Sequence, residues 1–403
     1  MKMRSKPSSA FPQSAPRRRP WSSCALIPAF LLLAGCGHVI YRAPNYGCKP
    51  FDFRKPPPCD PAGETAATSG EVVAIRYLGA GGLAIRWRGQ ILLTAPFFSN
   101  YGFPRVPFGR LSPQEEAIGE GMKNVPASEV GAILAGHSHY DHLGDLPIVA
   151  EHHAPRARLY VNDSGLKLLG HAFGNRVQSL ERSLDAEIPL EDAEGQRLPF
   201  RVRTVASEHA PHFLRYHWAG GPVKHPWTQP WERLRLWHMR SGTTLAYVID
   251  LLDDRGTARY RIYYQDAASG DHIGVPREDG RPYDLAILCI ASHNWVEDAP
   301  QALLGRLRPR HVLVAHYENF FRRGWPRAFV PMLTNGLANR YLGRVEKSLR
   351  GLGRDPEGPV GRVCGPAGPE WTMPLVGEEV RFQPGSGVTS GCPSDPPRKR
   401  RSP

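Results

Sequence analysis

The chain has 403 residues, 41% hydrophobic and 22% charged, the balance of a soluble globular protein long enough to bury a sizeable core. Its formal charge of +13 suggests nucleic acid until the charge is located. Six Lys/Arg and no acid fall within residues 1–35, four more form the run Arg398, Lys399, Arg400 and Arg401, and +3 remains for everything between. So modest a body charge argues against DNA or RNA as a partner, whereas basic ends suit an anionic lipid surface.

The N-terminus reads as a targeting segment. Arg17, Arg18 and Arg19 precede an apolar run from Ala25 to Leu33, which is too short to cross a bilayer as a stable helix but long enough for a signal peptide. Leu33-Ala34-Gly35-Cys36 then resembles the lipobox of bacterial lipoproteins, in which the cysteine becomes the lipid-modified first residue. Gly37 in place of an aspartate resembles outer-membrane sorting in Gram-negative bacteria. Residues 1–35 are therefore expected to be a signal, and 36–70 a Pro- and Gly-rich tether or flap. The expected location is the periplasmic face of the outer membrane, with membrane contact through the anchor at Cys36 and no specific protein partner. Of seven cysteines, Cys48/Cys59 and Cys364/Cys392 can pair in an oxidising compartment, while Cys289 reads as a buried thiol.

Ordered structure is expected from about Val72. Val72–Tyr77, Gly82–Trp87 and Ile91–Thr94 read as three short strands broken by glycine-bearing turns, followed by Val130–Leu134. Leu143–His152 is a helix that Pro147 must shorten or kink. A strand at Arg158–Val161 and a helix starting at Gly165–Leu169 come next, then strands at Leu198–Val205, Gly242–Leu251, Arg259–Gln265, Leu285–Ile290 and His311–Ala315. A short helix at Pro300–Leu307 separates the last two, Glu370–Phe382 is a final strand with room for a turn, and residues 386–403 read as a disordered basic tail. No short repeat occurs. Two runs of apolar strands with helical pieces between them fit two sheets packed together with helices outside, as one domain over residues 71–385.

The chemistry is concentrated in Gly136-His137-Ser138-His139-Tyr140-Asp141-His142-Leu143-Gly144-Asp145, directly after a strand. Three histidines and an aspartate within six residues are costly as packing residues but natural as ligands of divalent ions. Three further candidates sit at later strand ends: His209 after Thr204–Glu208, with His212 as its competitor, Asp266 after Tyr260–Gln265, and His316 after Val312–Ala315.

The segment matches the His-x-His-x-Asp-His signature and so resembles the metallo-β-lactamase-fold superfamily, which implies an α/β, four-layer αββα sandwich. Tyr77-Leu78-Gly79, Ile91-Leu92-Leu93-Thr94-Ala95-Pro96-Phe97-Phe98-Ser99 and Ser138–Leu143 are most similar to the branch with N-acylphosphatidylethanolamine-hydrolysing phospholipase D and ascorbate-6-phosphate lactonase. The resemblance spans about Val72 to Phe320. It implies two divalent metal ions, zinc being the expected pair: His137, His139 and His209 on one, Asp141, His142 and His316 on the other, and Asp266 between them. A hydroxide held between the ions would be the nucleophile. Asp141 is counted with the catalytic residues as well as the ligands, and His293, in Ala291-Ser292-His293-Asn294-Trp295, is the candidate proton donor or phosphate contact. His272 is a weaker candidate of the same kind. Two departures stand out: Ala80 and Ala95 occupy positions where that branch has a histidine and an aspartate.

The implied activity is metal-dependent hydrolysis of a phosphodiester such as a phospholipid. The alternatives are a lactone, carboxylic ester or amide as substrate, or a non-enzymatic metal-binding envelope lipoprotein. Between His209 and Asp266, residues 213–240 mix Trp218, Trp227, Trp231 and Trp237 with Arg215, Lys224, Arg233, Arg235 and Arg240. Prolines at 222, 226 and 230 make its first half irregular, and Trp231–Met239 allows a short helix. Beginning beside a ligand, the segment should wall the site, with its tryptophans either meeting lipid or packing it onto the body.

Overall fold

The computed structural model describes residues 71–102, 105–212, 216–270, 272–318, 335–352, 371–374, 376–384 and 388–391. The signal-like segment, Cys36, the four cysteines expected to pair and the basic run at 398–401 lie outside the described residues.

Six strands open the first sheet: β1 (Val73–Gly79), β2 (Gly82–Trp87), β3 (Gln90–Thr94), β4 (Val130–Leu134), β5 (Arg158–Val161) and β6 (Val177–Ser179). The second sheet follows with β7 (Glu187–Glu191), β8 (Arg197–Ser207), β9 (Thr244–Leu252), β10 (Ala258–Gln265), β11 (Leu285–Cys289), β12 (His311–Ala315) and β13 (Trp371–Thr372). The chain then returns to the first sheet with β14 (Glu379–Phe382) and β15 (Val388–Gly391). The orders are β15-β14-β1-β2-β3-β4-β5-β6 and β13-β12-β11-β10-β9-β8-β7.

Alternation along the strands explains the layers. On β3, Leu92 enters a core shared with Phe200, Ile249 and Ile262 of the second sheet, while Ile91 and Leu93 point to a second core on the other face. Helix α1 (Arg105–Phe108) and α2 (Glu115–Met122) precede β4, and α3 (Tyr140–Leu143), α4 (Leu146–Ile148) and α5 (Asp163–Phe173) follow it. Ile118 and Met122 of α2 and Leu168 and Leu169 of α5 fill that second core. Across the second sheet, Leu303, Leu304 and Leu307 of α6 (Gln301–Leu307) and Tyr341, Leu342, Val345 and Leu349 of α7 (Asn335–Gly351) close the first core. The result is the expected αββα sandwich.

Three expectations need correction. The helix read over Leu143–His152 is α3, α4 and a π turn at Val149–His153, because Pro147 has no amide with which to continue α3. The single strand read over Glu370–Phe382 is two strands in different sheets: β13 pairs in parallel with β12, and β14 antiparallel with β1. Residues 388–391 of the expected tail form β15, their main chain completed by the open edge of β14.

Candidate metal centre

All four ligand-bearing segments leave the carboxyl end of a strand: β4 runs into the loop of His137 and His139, β8 into His209, β10 into Asp266 and β12 into His316. β10, β11 and β12 are parallel neighbours, while β8 and β10 flank β9 antiparallel to it, so these ends gather at one rim. β4 belongs to the other sheet and is stitched across. The Leu245 amide donates to the Gly136 carbonyl at 2.8 Å, and the Tyr247 hydroxyl to that of Ala135 at 3.0 Å. Position 136 must be glycine: a Cβ there would lie 2.4 Å from the Leu245 oxygen and 2.5 Å from the Asp266 Cβ.

Two triads of donors result. In the first, His137 Nε2 is 3.2 Å from His139 Nδ1, and the His209 ring lies 4.8 Å and 4.7 Å from theirs. The His209 Nδ1–H donates to the Ala210 carbonyl at 2.7 Å, leaving Nε2 with its lone pair. In the second, His142 Nε2 and His316 Nε2 are 3.3 Å apart, with Asp141 Oδ2 at 3.7 Å and 3.4 Å from them. Asp266 connects the triads: Oδ2 is 2.6 Å from His137 Nδ1, and Oδ1 is 3.1 Å from His142 Nδ1. Each triad fits a cation, since ligand atoms around a tetrahedral ion with bonds of about 2.0–2.1 Å are roughly 3.3 Å apart.

Electrostatics favour the ligand forms. Burial holds His139 and His209 well below the usual imidazole range, and pulls His137 down to about 4, against the pull of Asp266. His142 is the exception: burial opposes its charge, but Asp266 and Asp141 outweigh it and raise its pKa. Burial likewise opposes ionisation of Asp266, yet His142 and His137 hold it below the usual carboxylate range, and Asp141 is depressed through His142 and His316. The chain thus offers mostly neutral imidazoles and ionised carboxylates.

Several supporting residues are invisible to motif reading. The Tyr264 hydroxyl lies 2.6 Å from Asp266 Oδ1 and 2.8 Å from the Gly81 carbonyl. Tyr77 Oη accepts the His316 amide at 2.8 Å and donates to Glu318 at 2.5 Å. Glu318 also receives the Ala80 amide and, at 3.1 Å, the Tyr317 amide. Asn162 caps α5 through Gly165, accepts the Ser138 hydroxyl at 2.6 Å and donates to the Ser241 carbonyl at 2.8 Å. Asp145 accepts the amides of Phe98 and Ser99 and the Ser99 hydroxyl, pinning the loop after β3 under α3. Two of them left a sequence signal: Asp145 closes the histidine-rich segment, and Glu318 is an acid two residues past a ligand. Ala80 and Ala95 are buried and bring no polar side chain to the centre.

Not every expected residue joins the triads. His293 is buried with its ring 4.8 Å from that of Tyr341 and Nδ1 3.0 Å from the Ile290 carbonyl, and belongs to none of the donor groups. His272 is exposed, 3.7 Å from Glu208. His212 stacks on His209 at 4.6 Å without entering a donor group. The tryptophan-rich segment ends at the centre, since the Ser241 carbonyl accepts the Ser138 amide at 3.0 Å. Its tryptophans divide: Trp227 and Trp231 pack against the second core, whereas Trp218 and Trp237 are 38% and 51% exposed. In place of a helix at Trp231–Met239 there are two 3-10 turns, Trp231–Arg233 and Leu236–His238.

Two facing mixed sheets, helices outside them and a His-x-His-x-Asp-His loop on the shared rim give the αββα architecture that the resemblance implies, with groups of histidine and aspartate able to hold metal ions. The chain is 28% identical over 302 residues to the UPF0173 metal-dependent hydrolase of Cupriavidus necator, a match covering 72% of this chain and 87% of that protein. Among solved structures it is similar to Igni18, a metallo hydrolase from Ignicoccus hospitalis (16% identity, 77% of this chain and 99% of that one, TM-score 0.43). It is also similar to YhfI, a metallo-β-lactamase fold protein from Bacillus subtilis (11% identity, 77% and 100%, TM-score 0.40). No family model matches the chain.

Proposed function

We propose that this chain is a two-zinc hydrolase of phosphodiesters, phospholipids among them, tethered by a lipid on Cys36 to the periplasmic face of an outer membrane. The observation that carries the catalytic part is the pair of donor triads meeting across Asp266. His137, His139 and His209 would hold one ion and Asp141, His142 and His316 the other, with Asp266 placed between the triads on one histidine of each. Two cations so placed would lower the pKa of a water and neutralise charge developing on the attacked and leaving oxygens.

The chain's own part is to keep the donors in register before substrate arrives. Asp266 orients the rings of His137 and His142, the Ala210 carbonyl fixes the tautomer of His209, and Tyr77 holds the main chain of His316. The location rests on Leu33-Ala34-Gly35-Cys36 and Gly37.

The test is elemental analysis of the purified full chain with a substrate panel before and after chelation. Two zinc per chain and chelator-sensitive release from bis-p-nitrophenyl phosphate and from phospholipid are expected. Turnover of lactones, esters or amides with none of any phosphodiester would move the assignment to carbonyl substrates.

A further inference from the structure

Beside the first triad, His212 roots an aromatic turn at the metal centre. Its ring stacks on that of His209, centroids 4.6 Å apart and planes at 25°, and lies 5.4 Å from the His139 ring. Its amide donates to the Tyr216 carbonyl at 2.9 Å, and its Nδ1 accepts the Trp218 amide at 3.2 Å. An imidazole that accepts at Nδ1 carries its proton on Nε2. The turn is fastened on its far side too: the Ser241 amide donates to the Ala219 carbonyl at 2.9 Å, and the Ser241 carbonyl accepts from the Ser138 amide, between two ligands. On this mount Tyr216 is 69% and Trp218 38% exposed. Two large aromatic residues exposed two positions apart, on a turn secured at both ends, offer apolar surface to a ligand.

We propose that the Tyr216–Trp218 turn is a binding subsite for an alkyl or acyl chain of the substrate, and that His212 Nε2–H donates to an oxygen of the group it is attached to. This deepens the hydrolase reading and rests on it. The three parts follow from one another: the stack on His209 sets the imidazole next to the triad, two hydrogen bonds hold the main chain of Tyr216 and Trp218 to that histidine, and a substrate with a polar head and an apolar tail would meet both. The two packed tryptophans, Trp227 and Trp231, lie against the second core.

Binding of methyl phosphate and octyl phosphate to the zinc-loaded full chain, measured by calorimetry below the micellar range of the octyl compound, tests this without turnover. The expected result is at least tenfold tighter binding of octyl phosphate, about what burying two methylene groups supplies. Trp218→Ala and Tyr216→Ala should each shrink that preference severalfold with zinc content unchanged. His212→Ala should weaken both ligands alike, His212→Gln restoring part of the loss through its own N–H. Equal binding of the two phosphates by the wild-type chain, or an undiminished preference in Trp218→Ala, would overturn the subsite, and loss of zinc in His212→Ala would overturn the donor role. Chain-length preference without turnover of any substrate would instead count against the hydrolase reading alone.

Discussion

The hydroxyl of Tyr77, on the first strand, accepts the main-chain amide of His316, just past the twelfth, at 2.8 Å. His316 has φ 59°, a left-handed conformation that costs a residue with a Cβ about 1–3 kcal/mol and persists only where neighbours enforce it. Tyr77 enforces it, and Glu318 enforces Tyr77. Burial and then the Glu318 charge push the phenol well above its usual pKa, so it stays protonated and can donate.

Tyr77→Phe therefore removes one hydroxyl and leaves two buried groups, the His316 amide and the Glu318 carboxylate, short of a partner. A loss of roughly 1–3 kcal/mol in unfolding free energy is expected. His316 belongs to the second triad alone, so zinc titration should show one of the two sites weakened and the other intact. Two sites of unchanged affinity would show that the hydroxyl does not position the ligand.

Asp266→Ala acts on both triads together, because its two oxygens address one histidine of each. At least one zinc per chain should be lost, with hydrolysis falling roughly 10²-fold or more. A variant that retains full zinc and wild-type turnover would remove Asp266 from the centre.

Much of this was legible before folding because each ligand candidate follows a short apolar run, and such runs end where the sheet ends. The limits of β2, β4 and β5 match their apolar runs residue for residue, bounded as they are by Gly82, Ala135 and Asn162. What stayed hidden depends on pairing between distant strands. Nothing near Tyr77 and Tyr264 in sequence shows that their hydroxyls meet the His316 amide and Asp266. In helix α7, Tyr341, Leu342, Val345 and Leu349 mark one helical face, but glycines and charges between them mask the period. His293 follows β11, where Ser292 takes φ 60° and the histidine is buried with its ring against Tyr341, a placement that depends on a helix far along the chain.

Asp145 gives a pH signature. It is fully buried and burial pushes its carboxyl up to about 6, with the hydroxyl of Ser99 and the amides of Phe98 and Ser99 only partly offsetting the cost of charge. A folded-state pKa above the unfolded value means that the folded chain binds the proton more tightly. The contribution is then full below about pH 4 and is lost as pH rises through about 6, to a total of roughly 3 kcal/mol. Asp145→Asn abolishes this titration. The stability of the wild type relative to the variant should accordingly fall between pH 4 and pH 6, measured by denaturant unfolding at each pH. A difference that rises over that window, or stays flat, would contradict the buried-acid assignment.

The last prediction separates packing from exposure within the tryptophan-rich segment. The Trp227 amide donates to the Lys167 carbonyl of α5 at 2.9 Å, and its ring lies 4.7 Å from that of His238, so this residue clamps the segment to the body. Trp231 packs against the same core. Trp237 is 51% exposed and is met by Arg235, whose guanidinium sits 5.3 Å from its ring. Burial of apolar area, not the presence of indole, should then decide stability. Trp227→Ala and Trp231→Ala should each cost about 1–3 kcal/mol, less than a fully buried ring because both retain some solvent contact. Trp237→Ala should stay within about 0.5 kcal/mol, the range of surface substitutions and weak cation–π contacts. Parallel denaturant titrations of the three variants decide it. Equal losses at all three positions would mean that the exposed tryptophan is covered in solution, and no loss at Trp227 would mean that the segment is not clamped to α5.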